Sequence, residues 1–144
     1  DPRPTQRKNR LMPLLATVLS VVLAVVFVVA GLNKFSGSEL AEAAPEHLKI
    51  SDGFYRVAGV LELLGAAGLV IGAVAAPFLA GLAAVGLCGL MIGAVVLHLR
   101  AGDGFGISAV GNQVAGSAEG LSAWAPAAGL GLLSLLNAFL IFTA

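Results

Sequence analysis

The chain has 144 residues, 58% of them hydrophobic and 11% charged, with a mean hydropathy of +0.97, whereas a soluble domain is about a quarter charged. That composition excludes an ordinary soluble core. Eight basic residues balance eight acidic ones, so net charge gives no reason to expect nucleic acid, and the single cysteine, Cys88, excludes an internal disulfide or dithiol reaction.

Arg3, Arg7, Lys8 and Arg10 crowd the start, a basic segment over residues 1–10 that the positive-inside rule holds at the cytoplasmic face. The first residue is Asp1 rather than Met, which leaves the true start of the protein open. The apolar run that follows predicts a membrane helix over about residues 11–32, long enough at ~1.5 Å per residue to cross ~30 Å of hydrocarbon. Pro13 is expected in its first turn, where a missing N–H does no harm. A cleaved signal peptide ending near Ala41-Glu42-Ala43-Ala44 is the rival reading, but the run exceeds the roughly 7–15 apolar residues typical of a signal. Residues 33–53 turn polar and are expected to form an outer loop. Within it, Ser38, Glu39 and Glu42 suggest a short surface helix, with Leu40, Ala43 and Ala44 towards the bilayer and Pro45 as its stop.

A second span is predicted over about residues 54–73 and a third over 78–99, joined at Pro77 by a turn tight enough to make them antiparallel neighbours. Each carries glycines one turn apart, Gly68 with Gly72 and Gly89 with Gly93, a spacing that lets helix backbones approach in lipid. Residues 100–125 are rich in Gly, Ser and Ala, with Asp103, Asn112, Gln113 and Glu119 among them, and read as a second outer loop. Trp124 before Pro126 suggests an interfacial anchor. The fourth span is predicted over about 126–142, where Asn137 is a candidate for an interhelical hydrogen bond. The expected fold is all-α: one polytopic membrane domain, residues 11–144, forming an antiparallel four-helix bundle with both termini cytoplasmic.

In that topology Lys34, Arg56, Glu62, His98 and Asp103 gather towards the outer end and are the candidate ligand-binding or polar cluster. Glu62 is the most informative of them, because a charged group within the hydrocarbon costs roughly 2.5–3.5 kcal/mol on insertion scales and needs a partner or a task. Lys34 can reach it along its flexible stem if the first two spans adjoin. Arg56 is six residues from Glu62, which places the two on different helix faces and disfavours a direct pair. Two roles stay open for Glu62: an ion pair that fixes helix register, or a ligand or proton site facing outwards.

His98 sits where a helix end needs its carbonyls capped. The only other histidine, His47, lies in the first outer loop and off the spans. Without a local carboxylate cluster, no metal site is expected from the pair, and a bis-histidine haem is disfavoured. Cys88 reads as a small packing residue. No phosphate loop, Ser-His-Asp arrangement or zinc-ligand spacing occurs, and the glycine-rich run Gly102-Asp103-Gly104-Phe105-Gly106 follows no strand. No catalytic residue can be named.

The strings AGLNKF (Ala30–Phe35), GVLELLGAAGLVIG (Gly59–Gly72) and LMIGAVVLHLRAGD (Leu90–Asp103) together resemble the DoxX-like family of small bacterial four-helix membrane proteins. The likeness covers about Val18 to Asp103. It implies a compact antiparallel bundle, with a Gly-x-x-Lys turn at Gly31 and Lys34, the helix-two glutamate at Glu62, and a polar end to helix three at His98 and Asp103. The family takes its name from the small subunit of an archaeal terminal quinol oxidase with thiosulfate:quinone oxidoreductase activity, and other members act as membrane partners of redox or sulfur-handling proteins. Residues Gly104–Ala125 form a longer, more glycine-rich connection than the family usually has.

The function expected first is that of a non-catalytic accessory subunit in a larger respiratory or redox complex of the bacterial plasma membrane. It would contact lipid and other membrane subunits, or further copies of itself. The alternative is a quinone-linked oxidoreductase subunit or hydrophobic-ligand binder using the outer polar residues; no cofactor motif is evident, and a quinone is the one the likeness admits. A proton-coupled carrier ranks third, because no inverted repeat is detectable.

Overall fold

The computed structural model describes residues 4–104 and 124–143. Its elements are α1 (Pro4–Asn33), α2 (Glu39–Leu48), α3 (Asp52–Ala75), α4 (Pro77–Ala101) and α5 (Ala125–Thr143). Four segments are long and apolar enough to cross a membrane: Arg10–Asn33, Asp52–Ala75, Pro77–Ala101 and Ala125–Thr143. Their boundaries follow local chemistry. Ser51 caps α3 by accepting from the Phe54 N–H at 3.2 Å, and α4 begins at Pro77, where a helix needs no N–H.

The four spans form a ring. α1 packs against α3 and α5, and α4 packs against the same two helices. Leu23, Phe27, Leu69, Leu87 and Met91 fill the centre. Large apolar side chains also cover the outside, among them Val18, Val25, Leu64, Val74, Ile92 and Leu132, a surface far beyond what a water-facing monomer tolerates. These helices are immersed in lipid, and the protein is a multi-pass membrane protein.

Because both surfaces of each helix are apolar, helix association rests on close packing and a few polar contacts rather than on water exclusion. Asn137 on α5, fully buried, donates through Nδ2 to Ser20 Oγ on α1 at 2.9 Å. Such a bond contributes about 0.6–2 kcal/mol. Gly72 lies directly against the Ala80 backbone, so that any side chain there would collide with it, and a Cβ on Gly68 would sit 2.9 Å from Ala83 Cβ.

Three expectations need correction. Among the described residues, Gly89 and Gly93 do not pack against a helix: both are exposed, and a Cβ on either would meet nothing described within 4 Å. Their spacing matches that of Gly68 and Gly72, but the α4 face that carries them points out of the ring. Pro13 lies inside α1 rather than in its first turn, since the helix begins in the basic segment, whose Gln, Arg and Lys are good helix formers. Pro45 does not stop α2, which runs on to Leu48. The missing N–H removes one bond, and the helix ends instead where Lys49 takes the left-handed conformation (φ 55°). The Lys49 and Ile50 N–H groups then donate to Glu46 O and Pro45 O at 3.1 and 3.0 Å, the paired hydrogen bonds of a Schellman end. Most of the second expected loop, with Asn112, Gln113 and Glu119, and the side chains of Arg3, Arg7 and Lys8 lie outside the described residues.

Candidate functional site at the polar end of the bundle

The polar end is set by a close crossing of α1 and α3. A Cβ on Gly31 would come within 2.9 Å of Gly59 O, and one on Gly59 within 3.2 Å of Gly31 O and 3.1 Å of Lys34 Cβ. Two glycines therefore let the helices meet backbone to backbone. α1 then tightens into a final turn, with the Lys34 and Phe35 N–H groups donating to Gly31 O and Leu32 O at 3.2 and 3.0 Å. This turn carries Lys34 over α3. Its Nζ donates to both Glu62 oxygens, at 2.9 Å to Oε1 and 2.7 Å to Oε2.

The pair is shielded unequally: the Lys34 side chain is 16% exposed and that of Glu62 only 4%. Lys34 Nζ also lies 3.5 Å from Ala30 O, one of the last carbonyls of α1, and 5.4 Å from the centroid of the Tyr55 ring, within cation–π range. The Lys34 ammonium in turn compensates the carboxylate within the membrane.

Tyr55 links this pair to α2. Leu40 and Ala44 are buried on the inner side of α2, with half-buried Ala43 and Tyr55 packed against them. The helix thus turns its apolar side onto the bundle, not towards the bilayer as its composition suggested. Ser38 caps it, accepting from the Ala41 N–H at 3.3 Å. Ser38 is paired with Ala41 rather than an acidic residue at the third position, so this is a simple cap and not a reciprocal capping box.

His98 and Asp103 do not join Glu62. Gly102 ends α4 in the left-handed conformation (φ 90°), and the Gly102 and Asp103 N–H groups donate to Leu99 O and His98 O at 3.2 and 3.0 Å. This second Schellman end turns Asp103 back onto the last turn of α4. Its Oδ2 lies 2.5 Å from His98 Nδ1, and its Oδ1 lies 2.8 Å from His47 Nε2 on α2. The histidines therefore have the shared carboxylate that the sequence did not reveal. Leu40, Ala44 and His47 are spaced four and three residues apart, one face of a helix, and that spacing was the missed signal. Asp103 is 4% exposed, His98 11% and His47 31%.

Arg56 belongs to neither group. It is exposed and makes no ion pair among the described residues; its six-residue offset from Glu62 puts the two on different faces of α3. Cys88 is half-buried and free. An apolar cavity of about 230 Å³, lined by Pro13, Thr17, Ser20, Ala73 and Pro77 among others, lies at the opposite end of the bundle, beside the α3–α4 turn. Its volume falls below the roughly 300–1,000 Å³ usual for a small-molecule pocket.

No curated protein and no solved structure matches the chain. The DoxX-like family model matches residues 18–118, well over half of the chain, and spans Lys34, Glu62, His98 and Asp103; the protein belongs to the DoxX-like family.

Proposed function

We propose that this protein is a non-catalytic accessory subunit of a larger redox or respiratory complex in a bacterial plasma membrane, oriented with both termini in the cytoplasm and the polar end of the bundle outside. The carrying observation is the state of Glu62. Both of its oxygens are bonded to Lys34, beside Tyr55 and the α2 helix that packs on it. A carboxylate held in this way locks α1 to α3, and the surface left for interaction is the apolar exterior of the spans. The redox assignment rests on family likeness. A quinone-linked role gains nothing from the cavity, which is small and lies away from the polar end.

Purification in gentle detergent followed by native mass measurement tests the proposal. A second membrane chain at fixed stoichiometry is the expected result. A protein that runs only as a monomer or as copies of itself refutes it.

A further inference from the structure

We propose that His47, His98 and Asp103 form a binding site for a divalent transition metal of the zinc type, which clips α2 onto the end of α4. The three ligand atoms, one from each residue, all lie within 4.8 Å of one another. Tetrahedral zinc bonds of about 2.0–2.2 Å to nitrogen and oxygen hold neighbouring ligand atoms roughly 3.3–3.6 Å apart. The present nitrogen–oxygen separations are 2.5 Å at His98 and 2.8 Å at His47. The two imidazoles face different oxygens of Asp103, so admitting the ion takes side-chain shifts of about 1–1.5 Å, each ring drawing back from its oxygen while the ligand atoms that lie up to 4.8 Å apart close in.

The donor set selects the class of metal. Two imidazoles and one carboxylate suit zinc and its neighbours; the absence of thiolate or thioether disfavours cuprous copper, and two nitrogen donors disfavour magnesium and calcium. Exposure is graded suitably, with Asp103 and His98 nearly buried and His47 31% exposed, so the metal has a path in from the α2 side. Three protein ligands leave a coordination position open.

The placement of the ligands explains what the site does. Asp103 is fixed on His98 by the turn at Gly102, which builds half of the site within α4 and its end. His47 comes from α2, the one described helix that does not span, whose other anchorage is the small cluster of Leu40 and Ala44. A metal here ties that helix down over Tyr55 and the Lys34–Glu62 pair. Two hydrogen bonds to Asp103 account for the same arrangement without an ion, so the experiment must separate these cases.

The full chain, purified in detergent without a histidine tag and stripped with chelator, is titrated with zinc by calorimetry and with cobalt(II) by visible absorption. Expected are saturable binding of one ion per chain and the d–d bands of a low-coordinate cobalt site. Loss of even an outer-shell partner weakens metal sites about 10–100-fold, so His47→Gln and Asp103→Asn should each weaken zinc binding by about 100-fold or more. His47→Cys should retain binding and add a thiolate-to-cobalt charge-transfer band, which a purely hydrogen-bonded role would not produce. If Asp103→Asn does not fold, the two His47 variants, at the most exposed of the three positions, decide the matter. Absence of saturable binding, or affinity unchanged in His47→Gln, overturns the proposal. Neither result depends on whether the protein joins a larger complex.

Discussion

Replacing Lys34 with Met keeps most of the unbranched side chain and removes its charge, leaving Glu62 with a side chain 4% exposed and no cation on either oxygen. Breaking a buried pair from one side costs about 3–5 kcal/mol. The expected destabilisation is therefore of that size, about 3–5 kcal/mol. Glu62→Gln should cost less, about 1 kcal/mol, because Lys34 stands at a helix end, is 16% exposed, and can extend towards water. The double change Lys34→Met with Glu62→Leu should recover most of the loss, since apolar replacement of a buried pair is often neutral or stabilising. Equilibrium unfolding in mixed micelles, with helicity followed by circular dichroism, measures all four proteins. If Lys34→Met is no worse than Glu62→Gln, or if the double variant loses the sum of the two, Glu62 is not a structural lock.

Gly72→Ala should destabilise by about 1–3 kcal/mol, because its Cβ meets the Ala80 backbone, whereas Gly89→Ala and Gly93→Ala, which meet nothing, should be neutral or stabilise by up to about 1 kcal/mol; the same unfolding assay compares them. Orientation is tested with Cys88 replaced by Ala and a cysteine introduced at exposed Glu46 on α2. An impermeant thiol reagent should label it from outside intact cells, and labelling only after lysis would reverse the topology.

Hydrophobic runs were enough to determine the architecture. Four stretches too apolar for water, each about a bilayer in length, leave helices as the simplest elements that satisfy the backbone in lipid, and Pro77 forces the middle two to adjoin. A lone acid in the second span made Glu62 conspicuous, and the reach of lysine made Lys34 its candidate partner. What the sequence left undecided was which faces meet. Gly68 and Gly72 share their spacing with Gly89 and Gly93, yet only the first pair lies against a neighbouring helix, because in lipid both faces of a helix are apolar and periodicity no longer separates inside from outside. Gly31 and Gly59 set the crossing that seats Lys34 on Glu62, a contact between residues 28 apart. His47 lies 56 residues from Asp103, and only the folding of α2 back onto the end of α4 brings them together. Sequence determined how much of the chain enters the membrane; the rotation of each helix about its axis, and so the division of the polar residues into an ion pair and a His–Asp–His group, came from tertiary packing.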